Sequence, residues 1–236
     1  RRKVRKLMND ELDLIDSLVD LSHAKVVELG CGAARLARDL LHRFPHSEVV
    51  GIDPDERQLA HNRTEPQDRL TFLSGGADAI PFGDASFDGA MMLKSLHHVP
   101  VDMMERALAE IARVLRPDGW LYVSEPVYAG RLNDLVRLFN DERVVRDEAQ
   151  RALDRAIASG HWSQSAEKRF DVPVSFDSFA DFEKRMIRTT FADHDVDDAH
   201  LARIRDAYAS QAGITGSLEL TRPMHVRLLR IARAGG

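Results

Sequence analysis

The run Val26-Val27-Glu28-Leu29-Gly30-Cys31-Gly32-Ala33 reads as a strand, a Gly-x-Gly turn and the start of a helix. Glycines at those two positions let the backbone turn sharply and let a ligand approach the main chain, while the first turn of a helix presents unpaired N–H groups. Such a turn alone is a weak signal. It gains weight from Val49-Val50-Gly51-Ile52-Asp53, a second strand whose closing carboxylate stands about twenty residues after Gly32, the spacing at which an acid accepts both hydroxyls of a ribose. Together the two runs imply an adenosine-containing ligand at the carboxyl ends of the strands.

Two residues bear on which ligand that is. A dinucleotide fingerprint wants a small residue three places after the second glycine, and here that place is Arg35. Glu28, two residues before Gly30, would repel a pyrophosphate but suits a ligand carrying an ammonium and a sulfonium. The pattern prefers S-adenosylmethionine to a nicotinamide dinucleotide and leaves a nicotinamide-dependent oxidoreductase as a third, disfavoured reading.

These residues need a parallel sheet to position them, and residues 25–126 carry its alternation of short β-rich runs and amphipathic helices. Strands are predicted over 25–29, 48–52, 70–73, 89–93 and 120–124, and helices over 33–43, 56–62 and 103–115. The last helix has Met104, Ala107, Leu108, Ile111, Val114 and Leu115 on one stripe, a capping-box-like start at Asp102 and Glu105, and a stop at Arg116-Pro117-Asp118-Gly119. An amphipathic helix precedes the block through Leu12, Ile15, Leu18 and Val19, packing on the sheet edge or covering a pocket. After Glu125 the alternation fails. Helical sequence is expected over 131–159, whole or broken near Asn140-Asp141, with an extended run over 169–176, helices over 177–188 and 198–211, and a closing strand over 224–231. The organisation expected is a single domain over 1–236 with a cofactor-binding core over 25–126 and a helical cap over 130–168 that selects the acceptor.

Four stretches now carry a resemblance: Val26 to Gly32; Val50-Gly51-Ile52-Asp53; Ile80-Pro81-Phe82 with Ser86-Phe87-Asp88; and Ile111 to Trp120. In order and spacing the chain resembles a class I S-adenosylmethionine-dependent methyltransferase of the small-molecule type. The resemblance implies a Rossmann-like, doubly wound, mostly parallel seven-stranded α/β sheet with helices on both faces. It implies that Glu28, Gly30, Cys31 and Gly32 surround the methionine moiety, that Asp53 holds the ribose with Pro54 beside the adenine, and that Leu93 offers backbone to the amino group. S-adenosylhomocysteine would be the product. One position departs: Gly75-Gly76-Ala77-Asp78 puts Gly76 where relatives commonly carry the acid that accepts from the adenine amino group, so that either Asp78 or backbone near Ala77 takes over, or the adenine is held less specifically.

Methyl transfer needs alignment, exclusion of water and, for a protonated acceptor, removal of a proton. Catalytic candidates at the strand ends are His97, His98, Glu125 and Tyr128. Each has a plainer reading: a ring packed under the cofactor for the histidines, an exposed strand end for Glu125, a loop aromatic for Tyr128. Leu93-Lys94-Ser95-Leu96 lacks the prolines and aromatic of a base-flipping amino methyltransferase, and Cys31 lies in the glycine turn instead of an active site for cytosine C5 chemistry. No metal is expected. His194, Asp195, Asp197, Asp198 and His200 superficially resemble ligands, and helix capping by Asp197 or Asp198 explains them with fewer assumptions.

Composition bounds the rest. The chain has 236 residues with a formal net charge of −5, which argues against a coat for nucleic acid, and a single cysteine, which excludes an intrachain disulfide framework. No apolar run approaches the roughly 20 residues that span a bilayer, and the basic start Arg1-Arg2-Lys3-Val4-Arg5-Lys6 has no following apolar stretch, which suggests a cytoplasmic protein. The expected partner is a small-molecule acceptor, with no nucleic acid and no membrane. A non-catalytic S-adenosylmethionine-binding or assembly subunit on the same fold is the second reading.

Overall fold

The computed structural model describes residues 7–189 and 194–232, so the basic run at the start falls outside the described residues. Its elements are α1 (Glu11–Leu18), β1 (Lys25–Leu29), α2 (Arg35–Arg43), β2 (Glu48–Asp53), α3 (Glu56–Arg63), β3 (Leu70–Ser74), β4 (Phe87–Leu93), α4 (Met104–Val114), β5 (Leu115–Pro126), α5 (Arg131–Val136), α6 (Arg143–Ala158), β6 (Trp162–Phe176), α7 (Phe179–Phe182), α8 (Asp198–Ala209) and β7 (Leu218–Ile231). The seven strands form one sheet in the order β3-β2-β1-β4-β5-β7-β6, and β1 to β5 pair in parallel. Strand order reverses at β1 and β4. In open parallel sheets ligands bind beyond the carboxyl ends of the strands at such a switch point, and both the glycine turn and His97 follow those ends in sequence.

The chain divides into two compact units. The larger comprises Asp10–Glu125, Val145–Lys168 and the chain from His225; the smaller takes the chain up to Asn9, Pro126–Val144 and Arg169–Met224. In the larger unit the central strands are buried on both faces, which is why β1 and β2 read as near-continuous apolar runs. The stripe of α4 closes the core: Met104, Ala107, Leu108, Ile111 and Val114 are all buried there. The smaller unit has its own core of Leu132, Leu135, Phe176, Phe182, Ile204 and Tyr208, with the Phe176 and Phe182 rings edge to face at 5.1 Å. Asp197 caps α8, its Oδ1 accepting from His200 N at 2.7 Å, as the capping reading expected.

Several expectations are corrected. The 130–168 stretch breaks near Asn140-Asp141 into two helices, as one of its two readings had it, but it is not helical to its end: strand begins at Trp162, and Ala149, Ala152 and Leu153 of α6 join the core of the larger unit together with Trp162. β6 begins seven residues before the predicted extended run; it is the edge strand of the sheet, so its mostly exposed and Pro173-bearing sequence lacks the alternation of a half-buried strand. The 177–188 helix is a short α-helix continued as a π-turn over Glu183–Ile187. Asp102 does not cap α4, which is entered from a 3₁₀ turn over Val101–Met103 with no side-chain cap. The stop at 116–119 is the leading end of β5, where Gly89 lies so close under Trp120 that a Cβ would fall 2.2 Å from the indole.

Candidate functional site

The glycine turn is held by backbone bonds from the neighbouring strand. Gly30 N and Cys31 N donate to Ile52 O at 2.8 and 3.2 Å, Ala34 N donates to Cys31 O at 2.8 Å, and Gly32 N donates to Asp53 Oδ2 at 2.8 Å. These donors are therefore already committed, unlike the open N–H cradle that a pyrophosphate requires. Gly30 is at φ +71, and a Cβ there would lie 2.5 Å from Ser95 Cβ, so the turn packs directly on the segment after β4. Cys31 is buried, its Sγ 2.9 Å from where a Cβ on Gly51 would stand; burial pushes its thiol well up, which keeps it protonated. Asp53, 8% exposed, accepts from Gly32 N through one oxygen and from Asp55 N at 2.8 Å through the other. Each oxygen retains a second lone pair for a ribose hydroxyl. Pro54 follows on the surface.

Glu28 is 4% exposed at the end of β1. Its carboxylate bonds the backbone N–H of Ala37, in the first turn of α2, whose N-cap Ala34 has no side chain to offer. Its Oε2 is buried with no hydrogen-bond partner. Burial, reinforced by the Asp53 carboxylate, pushes the Glu28 pKa up to about 8, with the Lys94 ammonium pulling the other way. An orphaned carboxylate oxygen costs free energy unless something cationic completes it. The residues present thus fit the ammonium end of an amino-acid ligand.

The segment after β3 carries Ala77, buried in the core, and Asp78, half-buried. A Cβ built on Gly76 would lie 2.5 Å from Asp78 Oδ1, so the Asp78 carboxylate stands over the space that a side chain at 76 would use. Leu93 ends β4, in register with Ser124, and is half-buried.

Beyond β4 the chain makes a 3₁₀ turn over Leu96–His98. Ser95 Oγ donates to Leu29 O at 2.7 Å, which ties this turn to the end of β1. Glu125, 1% exposed at the end of β5, accepts Leu96 N at 2.9 Å through Oε1 and meets His97 Nδ1 through Oε2. The exposed-strand-end reading of Glu125 is thereby overturned: it is buried and bonded to His97, itself 4% exposed. A carboxylate on Nδ1 fixes the proton there and leaves Nε2 as the basic nitrogen. The His98 ring lies against that of His97, centroids 4.1 Å apart and planes tilted by 41°, and His98 is exposed. Tyr128 belongs to the smaller unit, half-buried, where the Arg143 backbone N–H and, after it, the Tyr128 hydroxyl bond the Asp141 carboxylate and hold it below the usual range.

Sequence reasoning missed several residues that shape this site. Asn62 Nδ2 donates to Gly32 O at 2.7 Å and steadies the turn from α3; Ser95 packs on it from the segment after β4. Glu11, in the first turn of α1, accepts from Tyr122 OH at 2.9 Å and is pushed up by burial, with the Lys94 charge beside it. None belongs to a spacing motif. Their signal is a polar residue at an otherwise core-facing place, visible only once packing is known.

Residues 26–119 match the family model of a methyltransferase domain. A 24-methylenesterol C-methyltransferase from Oryza sativa subsp. japonica is 35% identical over 152 residues, which are 61% of this chain and 39% of that enzyme, so this chain spans about two fifths of its length. The uncharacterized methyltransferase YcgJ of Bacillus subtilis (strain 168) is 28% identical over 193 residues, 74% of this chain and 73% of its own. Its crystal structure superposes with a TM-score of 0.63 over 95% of this chain and 99% of that one, at 20% identity, a likeness of fold. Among the described residues no helix is long and apolar enough to cross a membrane. Matched domain, named relatives and sheet order converge: over residues 26–119 the chain is similar to a methyltransferase domain.

Proposed function

We propose that this chain binds S-adenosylmethionine beyond the carboxyl ends of β1 and β4 and transfers its methyl group to a small-molecule acceptor that gives up a proton on methylation, releasing S-adenosylhomocysteine. The observation that carries the cofactor reading is the buried, unpartnered Oε2 of Glu28 beside the glycine turn. Bound there, S-adenosylmethionine supplies a methyl group already activated on a sulfonium, so the protein needs to hold, orient and deprotonate. Glu28 takes the ammonium, with Gly30, Cys31 and Gly32 shaping the wall around the methionine chain and Leu93 adding backbone. Asp53 accepts the ribose hydroxyls; Pro54, Ala77 and Asp78 flank the adenine, Asp78 standing in for the acid absent at Gly76. His97 Nε2 takes the acceptor's proton, Glu125 is the positioning residue that fixes its tautomer, and His98 buttresses the ring. Acceptor choice falls to residues beyond the matched domain, among which Tyr128 is the aromatic candidate.

Titration calorimetry with S-adenosylmethionine, S-adenosylhomocysteine and NAD tests the cofactor reading. Binding of NAD and of neither sulfur compound overturns it. Asp53→Ala is expected to weaken S-adenosylhomocysteine by about 1–3 kcal/mol, because two ribose hydroxyls lose a buried acceptor; unchanged affinity would put the ribose partner elsewhere. Incubation with methyl-labelled cofactor and a small-molecule extract tests transfer, the label appearing in a product that the Gly30→Arg variant does not make.

A further inference from the structure

The sequence resemblance uses Ile111 to Trp120 only as a landmark, yet the polar side of α4 does something specific to the loop that follows β3. Arg113 Nη2 donates to Ile80 O at 3.0 Å and Nη1 to Phe82 O at 2.8 Å, with Asp84 Oδ1 3.0 Å from the same nitrogen. Glu110 Oε2 accepts Ile80 N at 3.2 Å and is itself held by Arg113 Nη2 at 2.8 Å, while Oε1 accepts Arg113 Nε at 2.9 Å. Both backbone polar groups of Ile80 are thus gripped by one Glu–Arg pair. The grip continues at either end of the loop: Arg106 Nε donates to Asp78 O at 3.1 Å, and Ala85 N donates to Arg113 O at 3.0 Å. Below, Ala77 and Ile80 are buried in the core with Phe82 packed against it.

The loop carries no regular structure between Gly75 and Ser86. A loop of that kind is ordinarily mobile, and the side chain it presents is placed only as well as its backbone is. A planar guanidinium bonded to two carbonyls and two carboxylates fixes position and direction together, which a single ammonium cannot do.

We propose that the Glu110–Arg113 pair is a specificity-determining positioning device: it fixes the 77–82 backbone so that Asp78 is aimed at the 6-amino group of the adenine. The proposal rests on the cofactor reading above, and neither residue touches the cofactor. Arg113 and Glu110 set discrimination through the loop, so their removal costs selectivity for the purine as well as affinity.

Calorimetry is run with S-adenosylhomocysteine and its 6-oxo analogue S-inosylhomocysteine on the wild type, Arg113→Lys, Arg113→Met and, as a control on an exposed ion pair elsewhere, Arg116→Met. Wild type and the control are expected to prefer the 6-amino compound by at least about tenfold, since an acceptor left facing an oxo group loses its hydrogen bond. In both Arg113 variants that ratio falls to within about threefold of unity and S-adenosylhomocysteine weakens by about tenfold. A merely structural cation would be replaced by lysine with the ratio intact, and that result overturns the proposal; should Arg113→Met fail to fold, Arg113→Lys decides alone. A wild type that binds both purines equally also overturns it while leaving the cofactor reading standing. A wild type that binds neither refutes the cofactor reading itself.

Discussion

His97→Ala is expected to lower methyl transfer by about 10²–10⁴-fold while S-adenosylhomocysteine affinity stays within about twofold of wild type, the range typical for loss of a positioned general base. The reason lies in the division of labour at the ends of β4 and β5. Glu125 uses one oxygen for Leu96 N and the other for His97 Nδ1, so the imidazole is held by the protein and not by the ligand. Glu125→Gln replaces one of those two acceptors by an amide NH₂. Whichever way the amide turns, either Leu96 N–H loses its partner or His97 is pressed into the tautomer with its proton on Nε2, where it cannot accept another. Turnover of Glu125→Gln should therefore fall with that of His97→Ala, and the double variant should be no worse than the worse single one, because the two act as a unit. Measured as product formed from methyl-labelled cofactor at saturating levels, transfer that is unchanged in both single variants would reduce the dyad to packing. A parallel loss of cofactor affinity would assign it to binding.

This dyad also illustrates what the sequence could and could not disclose. The glycine turn, Asp53 and the five parallel strands were legible because their physics is local: a turn needing positive φ at Gly30, a strand alternating with a helix, an acid at a fixed distance along the chain. The stripe of α4 was legible for the same reason, since every third or fourth residue had to be apolar to close the core. Glu125 was legible as a candidate but not as a partner of His97, because 28 residues separate them and only the adjacency of β4 and β5 brings them together. Glu28 could be placed beside the ligand from its position before Gly30; that one of its oxygens lacks a partner while the carboxylate also bonds α2 is a property of packing.

The second half was hardest to read, and for a physical reason. β6 is an edge strand with Pro173 inside it and most of its side chains exposed, so neither alternation nor a continuous apolar run marks it. α6 looks like a solvated charged helix, yet Ala149, Ala152 and Leu153 suffice to seat it in the core: small residues let a helix approach closely without a wide apolar stripe. Arg227 completes the misdirection. It is 7% exposed on β7 and satisfied by Gln164 Oε1 at 2.6 Å and Asp154 Oδ1 at 2.8 Å, a buried cation whose partners lie more than sixty residues back along the chain. Long-range polar satisfaction of this kind leaves no periodicity behind.

The affinity for S-adenosylhomocysteine is expected to rise about fiftyfold from about pH 6 to about pH 8 and to level off above, because binding the ligand's ammonium requires Glu28 in its ionised form. The sign follows from the direction of the shift. In the ligand-free chain burial holds the Glu28 pKa up at about 8, so the carboxyl is neutral through most of this range; a bound cation lowers that pKa, and each binding event below it releases about one proton. The observed constant therefore climbs by about tenfold per pH unit until the free carboxyl has ionised on its own. Asp53, Lys94 and Cys31 face the same carboxyl or lie beside it: Asp53 adds to the upward push, the Lys94 ammonium opposes it, and the Cys31 thiol stays protonated throughout because its own pKa is raised. Glu28→Gln keeps an acceptor for the Ala37 N–H, so α2 retains its cap, but it cannot ionise. Its affinity should match wild type near pH 6, show no slope, and fall behind by about fiftyfold at pH 8. Calorimetry in two buffers of different ionisation enthalpy counts the released proton directly. A wild-type profile that is flat over this range, or a Glu28→Gln profile that keeps the slope, would remove Glu28 from the ammonium site and leave its buried oxygen as a cost the fold carries for capping α2.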